Sequence, residues 1–242
     1  MTKKEISALT KKIISSTIDE SIEASISIQE LIEKKEENKD LLGPILVDNL
    51  EKEKNVSRIR KIIWAISIFE IDEAIPLLRD LIDHKDGVIR EEVVLALGIL
   101  KDNKSINKLI KILDNANDIA REEAAIALGL MGVKESIEPL IKLLDDDTNI
   151  DIVIASCLAL SYIRDKSAIK PLINKISDDN KYIRRYSTKA VYTFGRTALP
   201  YLKESLKTTG FLKRRYLNKL INEIDKSDLS EVQKTFSRVA TS

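Results

Sequence analysis

Five alanines recur along this chain at a nearly constant interval. Ala65, Ala96, Ala127, Ala159 and Ala190 are separated by 31, 31, 32 and 31 residues. Each is followed by an apolar residue: Ile66, Leu97, Leu128, Leu160 and Val191. The next position is small in four copies (Ser67, Gly98, Gly129 and Ser161), with Tyr192 the exception. About ten residues beyond the alanines lie Ile75, Ile106, Ile137, Ile169 and Leu199, and three residues further Leu78, Leu109, Leu140, Leu172 and Leu202. Several columns sharing one period mean that the chain is built from repeats, and the repeat dictates the fold.

Each copy divides into two helical stretches. Ile106, Leu109, Ile112 and Leu113 form an apolar stripe of helical period, which Ile137, Leu140, Leu143 and Leu144 reproduce. Polar breaks follow at 83–87, 114–118, 145–149 and 177–180, rich in Asp and Asn that can accept from the free N–H groups of the next helix. The second stretch carries the alanine column, which removes side-chain bulk and lets the two helices of a hairpin approach closely. The Gly/Ser column does the same at some loss of helix propensity. One such hairpin cannot cover its own apolar side and must stack on neighbours. The reading is an all-α, right-handed α-solenoid of stacked antiparallel helix pairs, about six units forming a single domain over 1–242. Repeats occupy 41–207, with helical caps at 1–40 and 208–242. At 8–10 Å between packed helices, the array would extend roughly 50–60 Å.

Composition agrees. With 43% hydrophobic and 33% charged residues the chain can build a core and is not a disordered sequence. Seven Gly and five Pro are too few for the turns of a sandwich or barrel. The longest apolar run, 62–69 with Ser67 inside it, falls far short of the roughly 18 residues of a membrane span. The opening MTKKEISALTKK lacks the apolar core of a signal peptide, so a cytoplasmic protein without a membrane partner is expected. A single Cys, Cys157, excludes an internal disulfide, and a single His, His84, excludes a His-rich metal cage. No metal and no cofactor are expected.

The segment REEAAIALGLMG (121–132) and the following IEPLIKLLDDD (137–147) resemble the HEAT repeat, and more narrowly the short HEAT-like repeat of the phycobilisome-lyase type. Ile137, Pro139 and Leu140, and again Ile169, Pro171 and Leu172, match the opening of that repeat's first helix. Arg121, Ala124, Ala127, Leu128 and Gly129 match its second helix, and the pattern weakens at Val153 and Tyr192. The resemblance covers roughly 41–207 and implies a ladder in which a turn Asp and an early Arg of the second helix bridge adjacent units. Asp83/Arg90, Asp114/Arg121 and Asp178/Arg184 fit that pattern, and a packing role is the expectation for them.

The resemblance also implies that the second helices line the concave face. Just before the alanine column stand Trp64, Leu95, Ile126 and Leu158, then Lys189. An apolar stripe at a groove edge would dock a protein partner, and Trp64, the sole Trp, is the residue type favoured at binding hot spots. The bland alternative is a column packed against the next unit.

Charge is unevenly spread. Residues 16–53 hold 11 acidic and 4 basic residues, net −7, whereas 180–224 hold 11 basic and 2 acidic, net +9. Arg-Arg-Tyr occurs at 184–186 and 214–216, which puts Arg184, Arg185, Arg214 and Arg215 near the starts of successive second helices, where N–H groups also favour anions. With Tyr182, Tyr186, Tyr192, Tyr201 and Tyr216 interleaved, this end would clamp an acidic protein segment or, alternatively, bind nucleic acid or phosphate.

For catalysis the sequence offers little. Cys157 is read as semi-exposed, without a His or Lys beside it in sequence, and 145–147 lack the spacing of a calcium loop. HEAT-type iron hydroxylases need several His-Glu pairs, which one His cannot supply, and HEAT-like glycosylases need aromatic residues on a basic face, whereas Trp64 lies in the acidic-to-neutral half. Bilin-lyase activity stays open, since it is tied to the same repeat subtype. The expectation is a non-catalytic scaffold for a protein partner.

Overall fold

A computed structural model describes residues 35–115, 119–146 and 148–226. These residues contain twelve α-helices and no strand. In chain order they are α1 (Lys35–Lys52), α2 (Val56–Ile68), α3 (Ile75–Leu81), α4 (Gly87–Ile99), α5 (Ile106–Asp114) and α6 (Arg121–Met131). There follow α7 (Ile137–Asp146), α8 (Ile150–Ile163), α9 (Ile169–Lys175), α10 (Lys181–Thr193), α11 (Leu199–Thr208) and α12 (Phe211–Lys226). They alternate as first and second helices of the repeat, so the fold is an α-solenoid. The proposed N-terminal cap lies outside the described residues up to 34, and α12 occupies the place of a second helix.

The described chain forms two compact units, one of residues 35–112 with 119–127 and one of 113–115 with 128–226. In the first, Ile62, Ile63, Ile66, Leu78, Ile89, Val93 and Leu97 are shut away from solvent. In the second, Leu140, Leu160, Ile169, Leu172, Val191, Leu202 and Leu217 play the same part. Burial of such side chains contributes roughly 1.5–3 kcal/mol each.

Polar residues in the breaks start the second helices. Asn55 accepts from the Arg58 N–H, Asp86 from Val88, Asn149 from Asp151, and Asn180 from both Tyr182 and Ile183. Asp86, Asn149 and Asn180 are N-caps the breaks imply, and Asn55 starts α2 in the same way. Residues 116–118 of the break at 114–118, and 147 of the break at 145–149, lie outside the described residues. Every first helix from α3 onward is entered through a 3₁₀ turn: Asp72–Ala74, Asn103–Ser105, Lys134–Ser136, Lys166–Ala168 and Gly195–Ala198. Pro76 and Pro200 then fall in the first turn of their helices, where a missing N–H does no harm.

Second helices end alike. Glu70, Lys101, Gly132, Arg164 and Gly195 all have positive φ, between 52° and 69°. At Lys101 the N–H donates to the Gly98 carbonyl while that of Asp102 reaches back to Leu97, and Glu70/Ile71 and Gly132/Val133 repeat the scheme. This is a Schellman closure, which satisfies carbonyls left over at a helix end.

The small-residue columns act differently from the sequence expectation. All five alanines are buried. The close approach they permit, however, is to the next second helix and not to the hairpin partner. A Cβ placed on Gly98 would lie 2.4 Å from the Ala127 Cβ, within the first unit. Ser67 and Ser161 fill the same column elsewhere by turning their hydroxyls onto the carbonyls of Ile63 and Leu158.

Two arginines of the expected Asp–Arg ladder also bind backbone. Arg90 Nη1 donates to the His84 carbonyl at 2.9 Å, and Arg184 Nη1 to those of Asp178 and Asp179 at 2.6 and 2.8 Å. These arginines brace the turn of their own hairpin. The Asp178 carboxylate meanwhile accepts the Asn180 N–H. Links between successive repeats, each inside one of the two compact units, come from Asp83 with Lys108, Asp145 with Lys175, Arg60 with Glu92 and Arg79 with Asp102. The last is bidentate, at 2.7 and 2.6 Å, onto a carboxylate only 5% exposed.

Candidate functional site

Second helices pack on one another in order, α2 with α4 in the first unit, α8 with α10 and α10 with α12 in the second. Their alanines face inward, so the residue before each alanine is turned about 100° away. In the first unit this places Trp64 39% exposed, with Leu95 and Ile126 half-buried. In the second unit Leu158 is half-buried and Lys189 exposed. The column is therefore neither core nor fully open. It offers apolar surface to solvent at consecutive second helices of the first unit.

One turn earlier on the same helices of the first unit stand Arg60 and Lys61, then Glu91 and Glu92, then Glu122 and Glu123. Arg60 Nη2 and Nε hold Glu92 Oε1 at 2.8 and 3.1 Å. Glu123 differs from the others. Burial, reinforced by the charges of Glu91, Glu122 and Glu92 against its own backbone N–H, pushes its pKa up to about 7. Its Oε2 is closed to solvent and has no hydrogen-bond partner. This row went unnoticed in the sequence, although Arg-Glu-Glu at both 90–92 and 121–123 is a signal that could have found it.

At the basic end the two halves of each Arg pair part company. Arg184 is committed to turn carbonyls, and Arg214 Nη2 donates to the Leu206 carbonyl at 3.2 Å. Arg185 and Arg215 are exposed, as is Arg214 while it holds its carbonyl. Tyr182 is 49% exposed with the Lys181 ammonium 4.9 Å from its ring centre, and Lys189 lies 5.6 Å from that of Tyr186. Tyr186, Tyr192, Tyr201 and Tyr216 are half-buried. Phe211 and Leu212, absent from the sequence reading, open α12 at 87% and 60% exposure. Being next to Gly210 and three cationic residues, they carried no periodic apolar signal.

Cys157 is fully buried, a correction to its expected semi-exposed place, because α8 packs on both flanks. Burial drives its thiol up to about 12, opposed to a lesser degree by the Lys175 charge and reinforced slightly by that of Asp178. His84 Nδ1 accepts the Asp86 N–H at 3.1 Å, a turn role. Of the acidic run at 145–147, Asp145 is paired with Lys175 and residue 147 lies outside the described residues. Among the described residues, no group of three or more His, Cys, Asp or Glu is placed to hold a metal ion, and no helix is long and apolar enough to cross a membrane. A cleft of about 230 Å³ in the second unit is lined by Lys170, Ile173, Asn174, Tyr201, Glu204 and Ser205, with Lys170 and Glu204 already paired across it at 3.2 Å.

Comparison with known proteins gives the same architecture. The family model for HEAT repeats matches residues 43–129 and 137–216, together more than half of the chain. The model for the PBS lyase HEAT-like repeat matches 120–146. No curated protein matches the sequence. Among solved structures, the complex of CpcE and CpcF of phycocyanin lyase from Nostoc sp. PCC7120 is similar with a TM-score of 0.55. It is 20% identical, over 72% of this chain and 74% of that one. Human deoxyhypusine hydroxylase in complex with glycerol is 14% identical over 93% of this chain and 97% of that one, with a TM-score of 0.41. At 20% identity the likeness to the phycocyanin-lyase complex concerns the fold alone.

Proposed function

We propose that this chain, which belongs to the HEAT-repeat family, is a non-catalytic scaffold that holds a protein partner against the exposed face of its second helices. The observation that carries the reading is the partly exposed column of Trp64, Leu95 and Ile126, in register on three successive second helices. Large apolar side chains held at a surface by a rigid repeat are what a docking site requires. The buried, strongly protonated Cys157 is unsuited to nucleophilic work, which favours binding over catalysis. The Nostoc lyase structure is itself a complex of two proteins, in keeping with partner binding by this architecture.

The basic end supports a second reading, an acidic-segment clamp or a nucleic-acid surface, through exposed Arg185, Arg215 and Tyr182. Arg184 and Arg214 serve this role less directly, since they hold backbone carbonyls. A bilin-lyase role draws only on the fold, and no residue in hand can be assigned to that chemistry.

The test compares affinity capture by the native chain, by Leu95→Asp with Trp64→Ala, and by Arg185→Glu with Arg215→Glu. Loss of the same proteins with the first pair, at unchanged helicity, supports the column. Loss only with the second pair moves function to the basic end. Unchanged capture with both pairs overturns the two surfaces together.

A further inference from the structure

We infer that the second-helix face of the first unit takes a cationic, amphipathic helical segment of a partner protein. Trp64, Leu95 and Ile126 would meet its apolar side, and Glu91 and Glu123 its lysines or arginines. The inference rests on the docking role proposed for the apolar column and adds the chemistry of the partner.

Three observations lead there. First, carboxylates outnumber cations beside the column. Four carboxylates (Glu91, Glu92, Glu122 and Glu123) border it against Lys61 and Arg60, and the Arg60 guanidinium is held by Glu92 at 2.8 Å. Arg90 is turned onto the carbonyl of His84, and Arg121 is buried. An acidic segment or a phosphate backbone would face repulsion here, whereas a cation would find attraction. Second, Glu123 holds a carboxylate oxygen out of solvent with no hydrogen-bond partner. A buried acceptor left unsatisfied is destabilising, and a charged donor is the group that offsets the penalty most fully. The residue as a whole is half-buried, which puts it at the border of the exposed face. Third, the size fits. Three helices spaced 8–10 Å apart span about 16–20 Å, the length of a helix of about 11–13 residues.

Trp64 is the sole Trp of the chain, so its emission reports contact at the column directly. The probes are two synthetic 15-residue amphipathic helices with one leucine face, one bearing lysines on its other side and the other glutamates. The Leu/Lys peptide is expected to shift Trp64 emission saturably, and the Leu/Glu peptide to leave it unchanged. Glu123→Gln and Glu91→Gln should each weaken the Leu/Lys peptide about fivefold or more, while Glu204→Gln in the other unit should not. Circular dichroism verifies that the variants remain folded. An equal response to both peptides would overturn the cationic partner while leaving the apolar docking surface standing. No response to either peptide would overturn the inference, and the capture experiment above would then judge the docking surface separately. Binding unaffected by Glu123→Gln and Glu91→Gln would also overturn it, by showing that net charge alone attracts the peptide.

Discussion

Gly129 lies face to face with Ala159 of the following second helix: a Cβ on Gly129 would stand 2.5 Å from the Ala159 Cα and 2.8 Å from its Cβ. Real side chains do not tolerate such distances, so a methyl group there must push the two helices apart. Gly129→Ala should therefore lower stability by about 1–3 kcal/mol, despite a gain of up to about 1 kcal/mol in helix propensity. Gly43→Ala in α1, whose Cβ would meet Ile71 Cγ2 at an ordinary 3.4 Å, should instead be neutral or stabilising. Urea unfolding of both variants checks the contrast. Equal shifts would mean that the glycine column does not set the helix spacing.

Lys101 closes α4 at φ 52°, where L-residues are strained. Lys101→Gly should raise stability by about 0.5–1 kcal/mol, the relief of left-handed strain exceeding the entropy glycine loses on folding. A fall in the thermal midpoint would show that the lysine side chain contributes more than its backbone conformation takes away.

Asp102 should dominate acid sensitivity in the first unit. The Arg79 guanidinium, chiefly, holds its carboxyl below the ordinary 3.8, helped by the Ser105 hydroxyl and the Lys104 N–H and opposed by burial. A depressed folded-state pKa contributes stability that is complete above the unfolded value and lost as pH falls through the folded one. The native chain should therefore lose stability faster than Asp102→Asn below about pH 4. At neutral pH that variant should be destabilised by about 2 kcal/mol, since it leaves Arg79 without its ionic partner. Parallel pH profiles for the two proteins would refute the assignment.

Glu123 works in the opposite sense. Its folded-state pKa of about 7 lies above the ordinary 4.5, so the native state binds the proton more tightly than the unfolded chain. Its contribution therefore falls as pH rises from 4.5 towards 7 and is least favourable above that. Glu123→Gln should be about 1 kcal/mol more stable than the native chain at pH 8, a modest figure because the group is half exposed to screening solvent. At pH 4.5 the two should be nearly equal. A constant difference between them at both pH values would rule out titration as the cause.

Much of this was written in the order of residues. A 31-residue period, two apolar stripes per copy and Asx-rich breaks need nothing but helical geometry to be read, because 3.6 residues per turn converts spacing into a face. Asn55, Asp86, Asn149 and Asn180 are caps for the same local reason. Other features followed no residue type. The left-handed column of Glu70, Lys101, Gly132, Arg164 and Gly195 shares a backbone conformation but not a chemistry, so no letter pattern betrays it.

Packing decided the remainder. A period says which way a side chain points, and cannot say how deeply neighbouring helices cover it. That depth buried Cys157 completely, left Trp64 partly open, and set Gly98 against Ala127 rather than against its own hairpin. It also turned Arg184 onto carbonyls and left Arg185 in solvent, although the two stand side by side in the chain. Adjacent residues on a helix differ by about 100° in direction, and only the neighbouring helices determine which of those directions meets protein and which meets water.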